Sequence, residues 1–291
     1  MPDRVLVTGA GGKTGRAVLA ALTAEGLPAR ALVRDADRHG DLADLGDVEV
    51  VVGNQRDVDD LVAALDGCTA VHHLAPNVTP DEVAMGQAVI AACERVGVQR
   101  LSFHSVMDPH EPTMPHHADK GRVEELVTAS SLGWTIVRPN AYLQNLDAYL
   151  DDLHAGHYRV PYAIDRGLAM VDLREVAEVV AGSLSGRLDG AVGAAWDLAG
   201  PELVTPERVA QVASQLLGHP VVAERQDPDA WAAANRHLPR AAHQRLLAMF
   251  RFYDQHGFPG EATELTRLLG RQPRDVETYL GEALRSSASE R

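Results

Sequence analysis

Three side chains near the middle of the sequence have types and spacing suited to proton chemistry. A strand-like run, RLSFHS, ends at Ser105, His116 follows eleven residues later, and Lys120 comes four residues after that. Positions i and i+4 share a helix face, so His116 and Lys120 are predicted to point together toward a site beside Ser105. A histidine at 116 or 117 could donate a proton near neutral pH, and a lysine ammonium lowers the pKa of neighbouring acids. The three residues therefore predict a site at which a reacting group beside Ser105 receives a proton.

Plainer interpretations stay open for two of these positions. Ser105 could simply cap a turn, and His116 and His117 could be solvated residues of a first helical turn. Lys120 is more informative, because only two of the 27 basic residues are lysines, Lys13 and Lys120. A lysine retained among arginines indicates a position where the larger, permanently charged guanidinium does not serve. The histidines match no zinc-binding spacing, so we predict no metal site.

A second cluster of functional residues lies at the first strand, in VLVTGAGGKTG. Gly9, Gly12 and Gly15 have the spacing GxxGxxG, and an apolar helical pattern follows at once. Such glycines let the backbone turn tightly and approach a diphosphate, while the helix N-terminus offers amides and a positive dipole end. A turn that binds nothing is the alternative, but the place at the first strand–helix junction of a βαβ unit favours a dinucleotide. The predicted cofactor residues here are Thr8, Gly9, Gly11, Gly12, Lys13, Thr14 and Gly15.

The end of the second strand indicates which dinucleotide is bound. Arg34 closes this strand and Arg38 follows one turn later. A guanidinium suits the 2′-phosphate of NADP(H), so NADP(H) is favoured. Asp35 could instead bind a ribose 2′-hydroxyl, which keeps NAD(H) as the less favoured alternative.

The elements that would position these residues alternate along the first half of the chain. Short apolar runs at 4–9, 29–34, 48–53, 70–75, 100–105 and 134–139 are separated by helical patterns. This alternation predicts an α/β fold, a Rossmann-type doubly wound parallel sheet with a smaller, mainly helical C-terminal substrate region. We predict a dinucleotide-binding domain over 1–150 and a substrate-side region over 151–291, of which about 168–200 returns to the Rossmann core.

Composition limits the partners. The chain has 291 residues, 45% of them hydrophobic, and a net charge of −14, which argues against nucleic-acid and anionic-membrane surfaces. The two cysteines, Cys68 and Cys93, form no CxxC motif, and no leader or long apolar segment is seen. A soluble, cytoplasmic protein that acts on a small molecule is expected. A homodimer or a protein partner stays open.

The sequence resembles the NmrA-like branch of the atypical short-chain dehydrogenase/reductases. The matching stretches are VTGAGGKTG, ALVRDADR, AVHHLAP, GVQRLSFHSVMDP, HHADKGRVEELVTASSLGWTIVRPNAYLQNL and VDLREVAEVV. The family includes NADPH-dependent reductases of quinones and triphenylmethane dyes, and non-catalytic regulators that sense the dinucleotide. The resemblance implies that Lys120 is the active-site lysine, that Ala75 and Pro76 lie along the cofactor, and that Asn140 and Tyr142 line the substrate side. His116 stands where related dehydrogenases have a tyrosine acid.

Two functions follow from these observations. The first is an NADPH-dependent reductase that transfers hydride to a small conjugated acceptor, such as a quinone, dye or enone, without the usual tyrosine. Its substrate side would be lined by Met107, Asn140, Tyr142, Phe250 and Tyr253. The alternative is a non-catalytic NADP(H)-binding redox sensor that acts through a protein partner.

Overall fold

The computed structural model describes residues 4–289, which form alternating strands and helices. The strands are β1 (Arg4–Val7), β2 (Ala29–Val33), β3 (Val48–Val52), β4 (Cys68–His73), β5 (Arg100–His104), β6 (Gly133–Pro139), β7 (His157–Val160), β8 (Ala194–Leu198) and β9 (Val222–Arg225). The α-helices are α1 (Lys13–Ala24), α2 (Val58–Leu65), α3 (Glu82–Val96), α4 (Pro115–Ala129), α5 (Leu150–His154), α6 (Leu173–Ser185), α7 (Pro206–Leu217), α8 (Pro228–Ala234), α9 (Arg240–His256), α10 (Thr263–Leu269) and α11 (Val276–Ser289). Two 3₁₀ helices cover Gly40–Leu45 and Leu143–Tyr149.

The central sheet has seven strands in the order β3-β2-β1-β4-β5-β6-β8. The pairings that connect β3 through to β6 are all parallel. The chain winds outward from β1 to β3 and then crosses to β4 on the other side of β1. This reversal is the topological switch point of a doubly wound sheet, where ligands bind beyond the carboxyl ends of the strands. The predicted Rossmann-type fold is confirmed.

One face of this sheet packs against α2, α3 and α4. Leu6, Val71, Leu101, Phe103 and Ile136 project from the strands into a core that also holds apolar residues of the three helices. Parallel strands covered by crossover helices are buried on both faces, which explains why their sequences read as short continuous apolar runs. Burial of this apolar surface holds α3 and α4 over the middle of the sheet.

The chain divides into two compact units. The first consists of the chain up to Pro112 together with residues 116–138 and 174–196, and the second of 113–115, 139–173 and 197–291. The sequence had placed the division at residue 150, with a return to the core at about 168–200. Within the second unit β7 and β9 form a separate two-stranded parallel sheet.

The structure differs from the predicted elements in three places. The Tyr-, Pro- and Gly-rich sequence of 157–171 predicts an irregular stretch, but the structure has β7 at its start, and β9 was not predicted. The helical pattern over 227–251 predicts one helix, but the structure has two, α8 and α9, and the second begins directly after Pro239. Proline is tolerated in a first turn but interrupts a helix interior, which accounts for the break. None of the helices within residues 4–289 is both long and apolar enough to cross a membrane.

Candidate active site

The glycine loop between β1 and α1 is tightly turned and leaves little room for side chains. Gly9 has a φ of +59°, and a Cβ there would lie 2.7 Å from the carbonyl oxygen of Leu74. A Cβ on Gly15 would lie 2.5 Å from the carbonyl oxygen of Gly9. At Gly12 a Cβ would meet only that same oxygen, at 3.4 Å. Gly9 and Gly15 are therefore required by the fold of the loop, whereas the lack of a side chain at Gly12 keeps the approach to the helix open.

The N-terminus of α1 is unusually well suited to an anion. Gly12 is the N-cap residue, no side chain caps the helix, and its first turn contains no acidic residue. The first amides of a helix lack partners within the helix and carry its positive dipole end. Lys13 is the first residue of the helix and adds a positive charge. The loop and the helix end together fit the diphosphate of a dinucleotide.

Thr8 connects the ends of β1 and β4. Its hydroxyl donates to the carbonyl oxygen of Leu74 at 3.0 Å and accepts from the N–H of Leu74 at 3.0 Å, and it lies 2.9 Å from Nδ1 of His73. The residue is fully buried. The structure thus places Thr8 as a brace for the glycine loop, and direct contact with the cofactor stays a prediction.

Residues of α1 and of the segment after β2 also support the loop. Arg16 donates to the carbonyl oxygen of Gly11 at 3.3 Å and forms a two-point ion pair with Asp41 at 2.6 and 3.1 Å. The guanidinium beside it lowers the pKa of Asp41. A Cβ on Gly11 would lie 2.6 Å from the imidazole ring of His39, so that ring covers the loop. Sequence reasoning missed His39, because the contact joins two segments with no shared motif.

The arginines at the end of β2 are open to solvent. Arg34 and Arg38 are both exposed. The neighbouring Asp35 uses Oδ1 to accept from the backbone N–H groups of Asp37 and Arg38, at 3.0 and 3.4 Å. Its carboxylate therefore stabilises the turn after β2, so Oδ1 is used by the backbone of that turn and not by a ribose hydroxyl.

Lys120 lies on α4 and is held by two groups from different elements. Its Nζ donates to Oε1 of Glu82 at 2.9 Å and to the carbonyl oxygen of His104 at 2.9 Å. It also lies 5.4 Å from the centre of the Phe103 ring. The side chains of Lys120 and Glu82 are 17% and 4% exposed, so this is a largely desolvated ion pair. The structure therefore fixes the predicted active-site lysine at the end of β5.

Ser105 belongs to a second buried ion-pair group. Its hydroxyl donates to Oε1 of Glu124 at 2.5 Å. The same carboxylate accepts from Nε of Arg138 at 2.9 Å, and Arg138 also donates to its other oxygen. Glu124 is 4% exposed. The proton of Ser105 is directed to Glu124 in this arrangement, so a catalytic role for Ser105 would have to use its oxygen as an acceptor.

The two histidines at the start of α4 have different surroundings. Their rings meet edge to face, with centroids 4.5 Å apart. His117 is buried, and burial is the main cause that lowers its pKa to about 4, while hydrogen bonds to the loop after β5 oppose the shift. The lowered pKa keeps its ring uncharged near neutral pH, which favours His116 over His117 as the predicted proton donor. His116 is half-buried and remains the predicted acid.

Three more histidines lie inside the sheet. Nδ1 of His72 is 2.9 Å from the hydroxyl of Ser102, and Nε2 of His72 is 3.3 Å from Nδ1 of His104. His73 lies on the opposite face and stacks on Phe103. Burial, with a smaller contribution from Lys120, lowers the pKa of His72 and of His73 to about 3. These rings are neutral hydrogen-bonding groups, and the described residues contain no cluster of His, Cys, Asp or Glu that could hold a metal ion.

Two loops that follow strands of the sheet contain strained backbone. Val78, after β4, and Asp108, after β5, have φ angles of 50° and 51°. Positive φ is uncommon for residues other than glycine and is unfavourable for a β-branched one. Ala75 is buried and Pro76 exposed in the first loop, and Met107 is buried in the second. Strain of this kind is often found at ligand sites, where the surrounding structure enforces it.

The remaining predicted substrate residues belong to the second unit. Asn140 is buried and donates from its side-chain amide to the carbonyl oxygen of Phe258 at 3.1 Å. Tyr142 is half-buried and forms an isolated bridge with Val171. Phe250 and Tyr253 are buried in one aromatic cluster, in which both contact the ring of Tyr162. Their contribution to substrate binding stays a prediction.

Besides His39, sequence reasoning missed Glu82 and Glu124. Glu124 lies four residues after Lys120, so helical spacing alone could have placed it on the same face of α4. Glu82 begins α3 and meets Lys120 only because α3 and α4 pack side by side. No pattern of neighbouring residues in the sequence predicts a contact of this kind.

Comparison with known proteins adds two curated relatives. The chain is 30% identical over 220 residues to NAD(P)H azoreductase from Xenophilus azovorans, and the match covers 75% of each chain. It is 35% identical over 231 residues to (4-alkanoyl-5-oxo-2,5-dihydrofuran-3-yl)methyl phosphate reductase from Streptomyces griseus, with 78% of each chain covered.

Solved structures share the fold at lower identity. An NADPH-dependent quinone oxidoreductase from Escherichia coli, complexed with NADPH, matches 96% of this chain and 99% of its own with a TM-score of 0.82 and 21% identity. A negative transcriptional regulator, NmrA, in complex with NAD matches 98% of this chain and 96% of its own with a TM-score of 0.80 and 18% identity. The NmrA-like family matches residues 1–280, and the chain belongs to that family.

Proposed function

We propose that this protein is an NADPH-dependent reductase that transfers hydride to a small conjugated organic acceptor. The observation that carries the proposal is the N-terminus of α1, which combines an open glycine at its N-cap with uncapped amides and no acidic residue in the first turn. Such a helix end binds a diphosphate without further adaptation. The buried lysine at the end of β5 lies in the same unit of the structure.

The relatives support the acceptor class. One is named for the reduction of azo compounds, and the other for a substrate whose name describes an unsaturated ring that bears carbonyl groups. Both acceptors are conjugated, so hydride addition to either produces a charge that is delocalised. The acceptor proposed here has the same character, as in quinones, dyes and enones.

The preference for NADPH rests on the end of β2. Arg34 and Arg38 are exposed there, and the carboxylate of Asp35 is used by the backbone of its own turn. A guanidinium binds a 2′-phosphate with charge-assisted hydrogen bonds, whereas NADH offers only a hydroxyl at that position.

Side chains of this protein would orient the cofactor and the acceptor and would protonate the reduced acceptor. Bound NADPH supplies the hydride. An ammonium has three N–H donors, and two of those of Lys120 are used by Glu82 and His104. The third would bind a ribose hydroxyl of the cofactor or an oxygen of the acceptor. His116 would deliver the proton to a reduced carbon, while oxygens of a reduced quinone could take protons from water.

A non-catalytic NADP(H) sensor is the second candidate, and two observations favour it. The resemblance places His116 where related dehydrogenases have a tyrosine acid, and the negative transcriptional regulator NmrA has a similar fold. The two functions differ in one measurable property, which is turnover.

The test measures NADPH oxidation by the purified protein with a panel of quinones, azo dyes, triphenylmethane dyes and enones. Turnover with at least one class is expected, together with tighter binding of NADPH than of NADH. Arg34→Ala is expected to weaken NADPH about tenfold to a hundredfold and to leave NADH unchanged, because it removes hydrogen bonds to a charged group. Arg95→Ala, which removes an exposed arginine of α3, serves as the control. Tight NADPH binding without any turnover would support the sensor, and no binding of either dinucleotide would refute both functions.

A further inference from the structure

We propose that Glu82 is a positioning residue that sets the place and orientation of the Lys120 ammonium for cofactor binding. This inference rests on the proposed function, since it assigns a role to the same site. It starts from the observation that Glu82, at the beginning of α3, is 3% exposed and has Lys120 as its ion-pair partner. A carboxylate is costly to bury unless a charge and hydrogen bonds compensate for the lost water.

Close packing of α3 and α4 creates this pair. Gly86 lies one turn after Glu82, and a Cβ on it would be 2.7 Å from Cγ1 of Val123. Val123 lies one turn after Lys120 on α4. The glycine therefore lets the two helices approach at this level, and Glu82 and Lys120 meet one turn earlier on each helix, 2.9 Å apart.

The pair leaves one direction for a ligand. Glu82 and the carbonyl oxygen of His104 each accept one hydrogen bond from the ammonium, at 2.9 Å. The ring of Phe103, whose centre lies 5.4 Å from Nζ, cannot accept a conventional hydrogen bond. The third N–H is thus held in one orientation by the other two. Without Glu82 the ammonium could rotate about its stem, and its position would depend on one carbonyl group.

The composition of the chain allows a direct test. Lys13 and Lys120 are its two lysines, so protein labelled with ¹³C and ¹⁵N in lysine gives two sets of side-chain signals. Lys120→Met assigns them, and Lys13 serves as an internal reference. In the cofactor-free protein, Glu82→Gln is expected to shift the Nζ and Cε signals of Lys120 and to leave those of Lys13 in place. Unchanged Lys120 signals would overturn the proposal.

The second arm measures the dissociation constant of NADPH by its fluorescence in a double-mutant cycle. Glu82→Gln is expected to weaken binding at least about tenfold, as for loss of an oriented hydrogen bond from a charged group. In the Lys120→Met background the same change is expected to add less than about twofold, because Glu82 acts through the lysine. Effects that multiply in the double variant would mean that Glu82 acts independently, and would overturn the proposal.

Asp81→Asn is the matched control. Asp81 is adjacent in sequence and also ion-paired, with Arg56 at 2.7 Å, but its side chain is 40% exposed. It is expected to change neither the lysine signals nor NADPH binding. If the wild-type protein binds NADPH and Glu82→Gln binds it equally well, this inference fails and the proposed function stands. If the wild-type protein does not bind NADPH, the proposed function fails, and with it the role of the pair in cofactor binding.

Discussion

Acidification is expected to unfold this protein through its buried histidines, and replacement of His72 by asparagine tests the cause. Burial lowers the pKa of His72 and His73 to about 3 and that of His117 to about 4, and it also lowers the pKa of His104. In the unfolded chain a histidine has a pKa of about 6.5. The unfolded state therefore binds more protons between these values, and the free energy of unfolding falls as the pH drops below about 6.5.

The magnitude follows from linkage. Between pH 7 and pH 5 each histidine that stays neutral in the fold lowers the free energy of unfolding by about 2 kcal/mol. Four such residues together give about 8 kcal/mol, which is comparable to the whole stability of a typical domain, about 5–15 kcal/mol. Cooperative unfolding near pH 5 is the expected result, well above the pH at which most carboxylates titrate.

Urea unfolding followed by circular dichroism at several pH values from 5 to 8 measures this slope. His72→Asn should lower the number of protons taken up on unfolding near pH 5.5 by about 0.9, since one titrating group is lost. Ser102→Ala removes the hydroxyl 2.9 Å from Nδ1 of His72 without removing a titrating group. It should therefore destabilise the protein at every pH and leave the slope unchanged. An unaltered slope in His72→Asn would show that the buried ring is charged or exchanges with solvent, and would refute the reasoning.

Three further predictions, made with four substitutions, separate effects on folding from effects on binding and catalysis. Gly15→Ala should lower the melting temperature, because its Cβ would clash with the backbone of the loop. Gly12→Ala should keep the melting temperature of the wild type but bind NADPH more weakly. Equal melting temperatures for the two variants would contradict this. Arg138→Met should lower the free energy of unfolding by about 3–5 kcal/mol, because it leaves the buried Glu124 carboxylate without its cation, and a loss below about 1 kcal/mol in urea titrations would argue against a stabilising pair. His116→Phe should slow NADPH oxidation by an enone about a hundredfold at pH 6 while sparing a quinone. Equal enone rates would show that water supplies the proton.

The fold and the glycine loop could be predicted from the sequence because their signals are local. A strand, a tight turn and a helix start occupy consecutive residues, so the spacing of Gly9, Gly12 and Gly15 is visible in one line of sequence. The alternation of apolar runs and helical patterns similarly determines the parallel sheet. The strands β7 and β9 were not predicted. Each has four residues and is partly exposed, so its sequence shows little of the alternation that indicates a strand.

The ion pairs of the site could not be predicted in the same way. Glu82 and Lys120 are 38 residues apart, and Glu124 and Arg138 lie on a helix and the following strand. Which residues form these ion pairs depends on how the helices pack on the sheet, and that packing is determined by side chains at several positions together. Ser105 shows the consequence. Its place at the end of β5 was foreseen, but its hydrogen bond to Glu124 depends on a residue from another element.

The structure gives a reason for a lysine instead of an arginine at residue 120 but not at residue 13. Lys13 is exposed at the first turn of α1, where an arginine would offer a phosphate at least equal binding, so its retention does not by itself require a lysine. At Lys120 the donors must radiate from a single atom, because Glu82 and the carbonyl oxygen of His104 both lie 2.9 Å from Nζ. A planar guanidinium spreads its donors over three nitrogens and would need a wider space than this desolvated site provides. The scarcity of lysine therefore points to a geometric requirement at residue 120, and the partner that imposes it is a carboxylate on another helix.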